Sequence, residues 1–265
     1  MIRMIVTDLD GTLLRKDKTI SEYTASIFQC CSNNGIKIVF ATARPIRAVK
    51  MLGLNLHSDA SVYHNGAVIT IGDELFQETG IGYESAKVLL HSAVRMKGMK
   101  VAAEIDDVLY ANFDTSTVWP GVHAVRTDFA HLPEKSVDKI IFITADRCEI
   151  SEIEKLLDED LYWEISENEV LMVMNKNARK KNATSALASH FGISLSEIAA
   201  FGDDYNDIEM IRDCGSGVAV ANAIDEVKAV ADYICQSNDE DGVAKWIEEF
   251  CMNSLATDLC QAFSV

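Results

Sequence analysis

The chain has 265 residues, 48% hydrophobic and 25% charged, which is long enough for a sizeable core in one large domain or two modest ones and too apolar for a disordered chain. A formal charge of −17 argues against nucleic acid or an anionic membrane surface as a partner, and no apolar run approaches the roughly 18 to 20 residues that span a bilayer. Seven cysteines with no C-x-x-C spacing read as buried reduced thiols, and with no signal-peptide pattern at the N-terminus the expected location is cytoplasmic.

In chain order, residues 1–7 are an apolar run of strand length that ends in Asp8-Leu9-Asp10-Gly11-Thr12-Leu13. On an extended backbone residues i and i+2 point the same way, so Asp8 and Asp10 would converge at the carboxyl end of a strand, where open parallel sheets place their ligands. Like charges that close repel. A divalent hard cation such as Mg²⁺ would relieve the repulsion and leave one carboxylate to attack while the other moves a proton. The same residues also fit a plain acidic turn in which Gly11 supplies a positive φ. Residues 21–34 carry helical spacing through Ile27 and Cys31 with Gly35 as the stop, 36–42 form a nearly continuous apolar strand, and Pro45 suits the first turn of the next helix. That alternation implies right-handed crossovers and a Rossmann-like parallel sheet. Thr42 either caps the following helix or, with the N–H groups at its start, faces the paired carboxylates as an anion site. Residues 59–63 and 68–71 read as strands joined by His64-Asn65-Gly66, where Asn-Gly is a hairpin signal.

From about residue 80 to 178 the pattern changes. A helix fits 83–97, closed by Gly98, and a second fits 149–157; short strands fit 100–105, 108–111, 139–144, 161–165 and 170–174. Together they suggest an α+β unit with an antiparallel sheet. Residues 175–181 return the chain to the first domain, and Lys176, Arg179, Lys180 and Lys181 read either as a solvated surface or as the local positive charge that a phosphate site needs in so acidic a chain. A helix then runs to Phe191 with Gly192 as its stop. Residues 198–201 are a buried strand ending in Gly202-Asp203-Asp204-Tyr205-Asn206-Asp207, a further acidic cluster at a strand end. Residues 251–265 are expected as an added helix or a mobile end.

In this order the runs resemble the four motifs of the haloacid dehalogenase (HAD) superfamily. Residues 8–13 match Asp-x-Asp-Gly-Thr-Leu, Thr42 matches the Ser or Thr that ends the second strand, Lys180 falls on the lysine of Lys-Gly-x-Ala-Leu-x-x-Leu, and 202–207 match Gly-Asp-x-x-Asn-Asp. The likeness is to Cof-type phosphatases and reaches to about Glu249. It departs at Ala43 and Lys181, both usual glycine positions, and the second departure leaves open which lysine points inward. The resemblance implies an α/β fold: a Rossmann-like core with a parallel sheet from residues 1–80 and 179–265, plus an inserted α+β cap of the C2B type at 81–178 that sets specificity. It implies a Mg²⁺-dependent phosphatase of small phosphorylated metabolites, sugar phosphates by default, working through an aspartyl-phosphate. Asp8 would be the nucleophile, Asp10 the acid and then the base, Lys180 the offsetting charge and Thr42 the phosphoryl holder, with Ala43, Arg44 and Asn65 beside the substrate. Asp8, Asp203 and the Asp10 carbonyl would bind the metal, with Asn206 and Asp207 in support. A phosphomutase or other phosphotransferase would use the same core, and a sugar-phosphate-binding protein without catalysis is the rival from another class. Oligomeric state is beyond the sequence.

Overall fold

The computed structural model describes residues 1–166 and 169–252, so most of the stretch 251–265 lies outside the described residues. The chain divides into two compact units, one built from Met1–Phe76 and the segment from Arg179 onward, the other from Gln77–Ala178.

In the first unit β1 (Met4–Thr7) is followed by α1 (Glu22–Asn33), β2 (Lys37–Ala41), α2 (Ile46–Met51), β3 (Ala60–Tyr63), β4 (Val68–Ile71) and β5 (Glu74–Glu78), the last of which runs across the boundary between the units. Helix α1 forms where the spacing places it: Thr24, Ile27, Phe28 and Cys31 make one buried stripe, and the Ser21 hydroxyl accepts from the Thr24 N–H as N-cap. Strands β3 and β4 are antiparallel, as the Asn-Gly signal suggests, but the register Tyr63↔Val68 leaves a four-residue loop in which Asn65 is left-handed at φ 60°.

The second unit contains α3 (Tyr83–Ala93), β6 (Val101–Ile105), β7 (Val108–Ala111), β8 (Val125–Arg126), β9 (Lys139–Ile143), α4 (Arg147–Glu154), β10 (Leu161–Ser166) and β11 (Val170–Asn175). Its sheet has the order β10-β11-β9-β6-β7-β8 and is antiparallel except for the short β7–β8 pair. The expected helix 83–97 is too long. It ends at Ala93 because the Arg95 and Met96 N–H groups bond three residues back, to Ser92 and Ala93, and Gly98 is left-handed. Leu89, Leu90 and Ala93 of α3 and Ile150 and Ile153 of α4 pack on Ala103, Ile140, Phe142 and Val173, while Ala102, Ile141, Met172 and Met174 form the core of the other face.

The first unit then resumes with α5 (Lys180–Phe191), β12 (Ile198–Gly202), α6 (Ile208–Asp213), β13 (Ser216–Val220), α7 (Asp225–Val230), β14 (Tyr233–Cys235) and α8 (Gly242–Ile247). Its eight strands run β14-β13-β12-β1-β2-β3-β4-β5, and the six from β14 to β3 are parallel. Alternate residues face opposite layers. Ile5, Phe40, Phe201 and Val218 pack with Phe28 of α1 and Trp246 of α8; Val6, Val39, Ala200 and Val62 pack with Leu187 of α5 and Met210 of α6. A parallel sheet covered on both faces leaves its strand ends as the place where polar groups gather.

Candidate active site

Strand register builds the site. Thr7 is level with Phe201 on one side and Phe40 on the other, so Asp8, Asp203 and Thr42 leave adjacent strands β1, β12 and β2 within two residues of the same level. The Asp8 N–H still donates to the Phe201 carbonyl at 3.0 Å, which fixes the start of the turn. Two glycines let the loops close. Gly11 has φ +81°, and a Cβ there would run into the Asp203 carboxylate; a Cβ on Gly202 would run into Asp207. Asn222 donates to the Gly11 carbonyl at 2.7 Å and Asn238 to the Leu14 carbonyl at 2.8 Å, bracing the first loop from below.

Asp8, Asp203 and Asp207 each offer a carboxylate oxygen within 4.8 Å of the others. Lys180, the first residue of α5, buries its whole side chain and donates to Asp8 Oδ1 at 2.5 Å and Asp207 Oδ1 at 2.8 Å. The second oxygen of Asp207 accepts from the Asp203 and Asp204 N–H groups at 3.0 and 3.3 Å. Asp207 is thereby spent on holding the loop and the lysine, and Asp8 and Asp203 remain the better cation ligands. Asp203 also accepts from the Thr12 hydroxyl at 2.6 Å. Burial, reinforced by the Asp207 and Asp203 charges, pushes the Asp8 carboxyl up against the pull of Lys180. Asp203 is pushed up to about 6, by burial first and by Asp207 next, with Thr12 opposing. On Lys180 the desolvation cost is outweighed by Asp207 and Asp8, so it stays charged. Buried carboxylates that repel one another and keep uncommitted oxygens suit a hard divalent cation.

Asp10 points elsewhere. Arg44 grips it with Nε on Oδ2 at 2.5 Å and Nη2 on Oδ1 at 2.7 Å, and Lys18 Nζ reaches Oδ1 at 2.7 Å. Burial works to raise its pKa, but Arg44 and Lys18 prevail and hold the carboxyl below its usual value. Thr42 is buried and its Oγ1 accepts from the Arg44 N–H at 3.1 Å, which leaves its own proton to donate. Ala43 lies half-buried between them. Asn65 accepts from the Asn206 amide at 2.9 Å, linking the β3–β4 loop to the loop after β12. Lys181 turns away to Asp213 at 2.8 Å, so of the two lysines it is Lys180 that lies among the carboxylates.

Three contributors escape a reading of the sequence: Lys18, Thr12 and the Asn222–Asn238 brace. Thr12 lies inside the first motif and Asn222 inside a run similar to the Cof tail, so a signal existed without a role attached. Lys18 carries no such mark.

A sequence profile of the haloacid dehalogenase-like hydrolase family matches residues 5–247. The putative phosphatase YxeH of Bacillus subtilis is 32% identical, over 95% of this chain and 99% of that protein. The 5-amino-6-(5-phospho-D-ribitylamino)uracil phosphatase YitU of the same organism is 28% identical, over 93% and 97%. Among solved structures, the HAD phosphatase BT1666 from Bacteroides thetaiotaomicron superposes with a TM-score of 0.84 at 25% identity, covering 94% of this chain and 95% of that one.

Proposed function

Since the chain belongs to the haloacid dehalogenase-like hydrolase family and is a phosphoric monoester hydrolase, we propose that it is a Mg²⁺-dependent phosphatase of small phosphorylated metabolites, with Asp8 as nucleophile. The observation that carries this reading is Lys180 Nζ, fully buried between Asp8 and Asp207 with Asp203 beside them. Asp8 attacks phosphorus in line with the leaving oxygen, the P–O ester bond breaks, and an aspartyl-phosphate forms. Thr42 donates its hydroxyl proton to a phosphoryl oxygen, and Lys180 offsets charge on Asp8 as it bonds. Asp10, a carboxylate at rest under Arg44 and Lys18, takes a proton from the water that attacks the aspartyl-phosphate and hands it on to the leaving oxygen of the next ester, so its proton is carried from one half-reaction to the other. The cation would be held by Asp8, Asp203 and the Asp10 carbonyl, with Asn206 and Asp207 in support. Bound there, Mg²⁺ supplies Lewis acidity to the phosphoryl group.

A phosphorylated sugar or sugar alcohol is the preferred substrate class, because YitU is named for a phosphoribityl ester. The inserted unit 77–178 is the proposed cap that selects it. Among the described residues no helix is long and apolar enough to cross a membrane, and the six described cysteines are free thiols. The test is phosphate release from a panel of phosphomonoesters, in Mg²⁺ and in EDTA, for wild type and Asp8→Asn. Metal-dependent release that disappears in Asp8→Asn is expected; release that survives the substitution would sink the mechanism.

A further inference from the structure

Among the described residues, Lys18 is a cation at this site that no sequence motif accounts for. It sits in a tight turn where the Lys18 N–H donates to the Arg15 carbonyl at 2.9 Å and the Arg15 N–H to the Thr19 carbonyl at 3.0 Å. Its φ is +65°, a left-handed backbone that glycine or asparagine adopts far more readily than lysine. The turn is tied to the 239–241 stretch, by Arg15 on Asp241 at 2.7 Å and by Lys16 on Asp239 at 3.2 Å, and Asp17 closes it by accepting from the Thr19 N–H and hydroxyl. From that strained position the side chain reaches back eight residues to Asp10 Oδ1, completing a set of three charged donors on one carboxylate. A lysine in a left-handed turn that is tied in place and aimed at a reacting group points to function rather than to loop stability.

We infer that Lys18 is a positioning residue for the second half of the reaction: with Arg44 it fixes the rotation of the Asp10 carboxylate for taking a proton from the attacking water. In that half-reaction the water oxygen bonds to phosphorus, its proton goes to Asp10, the bond from Asp8 to phosphorus breaks, and inorganic phosphate leaves with Asp8 restored. The inference rests on the phosphatase reading above. Its geometric ground is that Arg44 alone clamps Asp10 along one edge, whereas Lys18 approaches Oδ1 from the turn, so the two cations together hold the group from different elements.

The experiment is steady-state hydrolysis of p-nitrophenyl phosphate in Mg²⁺ by wild type, Lys18→Gly, Lys18→Asn and Lys18→Arg, with thermal melts alongside. p-Nitrophenolate departs without needing a proton, so kcat/KM for this ester reports binding and phosphorylation of Asp8, while kcat also includes water attack. The expected result for Lys18→Gly and Lys18→Asn is a fall in kcat on the order of tenfold, a fraction of what a placed acid–base group supplies. In both, kcat/KM stays within about twofold of wild type and the melting temperature is unchanged or higher, because both residues suit the backbone. Lys18→Arg should recover most of the lost kcat. A parallel fall in kcat and kcat/KM, or no change in either, overturns the inference while leaving the phosphatase reading standing on the active wild type. A wild type silent on every phosphomonoester overturns both.

Discussion

Lys180 and Lys181 are neighbours in sequence with opposite physical settings. Lys180 is fully buried against two carboxylates, and its removal would strand Asp8 and Asp207 as close like charges in a desolvated place. Breaking such a pair from one side costs about 3–5 kcal/mol. Lys181 is 35% exposed and meets Asp213 at the surface, where ion pairs contribute about 0–1 kcal/mol. Lys180→Met should therefore lose phosphate release and lower the thermal midpoint by many degrees, while Lys181→Met should keep both close to wild type. Equal effects of the two substitutions, in melts and in phosphate release, would contradict the assignment of Lys180 to the site.

At the scale of elements, the strand just after Asp138 carries a pH-dependent cost within the second unit. Asp138 is 2% exposed immediately before β9, and its carboxyl is pushed up to about 7, by burial first and then by Glu78, Glu104 and Asp106, with Lys139 opposing. The folded state thus keeps a proton that the unfolded chain releases above about pH 4, so this group makes stability fall as pH rises from about 4 through about 7. Asp138→Asn carries no such proton. Between pH 5 and pH 8 the stability difference between the variant and wild type should move in the variant's favour by about 1–3 kcal/mol, read from urea unfolding at both pH values. Parallel pH curves for the two proteins would refute the shift.

How much of this was legible depends on burial. Strands β1, β2 and β12 read correctly because a parallel strand covered on both faces is apolar at nearly every position, and the chain breaks into acids, hydroxyls or glycine where each ends. The edge strand β5 escaped, since all five of its residues are exposed and its sequence has no continuous apolar run. Edge strand β14 escaped for a like reason, with Tyr233 and Ile234 both exposed. Helix α2 has no buried side chain, so no apolar stripe could reveal its length. Helix α3 was overextended because Val94 and Met96 continue the apolar pattern past the point where the hydrogen bonds tighten. In the site, groups at strand ends were visible as motifs. The grip of Arg44 and Lys18 on Asp10 was not, since it depends on how two turns fold back over 34 and 8 residues.

For the whole molecule, a net charge of −17 means that any cation stabilises the fold by relieving general repulsion, so a rise in melting temperature with Mg²⁺ proves little by itself. The acidic cluster in the first unit supplies a sharper criterion. Asp203 is pushed up to about 6, so below that pH a divalent cation must displace its proton to bind, and above it that carboxylate is already charged; burial raises Asp8 in the same direction. The specific part of the Mg²⁺ effect should therefore be small at pH 5 and grow as pH rises through about 6, reaching about 2–3 kcal/mol when Mg²⁺ is near a hundredfold above its dissociation constant. General screening also grows as the chain charges up away from its pI of about 4.7, but it is matched by sodium at equal ionic strength. Melts at pH 5 and pH 7.5 in Mg²⁺, in sodium and in EDTA separate the two, with Asp203→Asn expected to flatten the step because one of its ligand oxygens becomes an amide. A Mg²⁺ increment that sodium reproduces at both pH values, or that survives Asp203→Asn unchanged, would assign the stabilisation to the charge of the chain as a whole and not to the cluster of Asp8, Asp203 and Asp207.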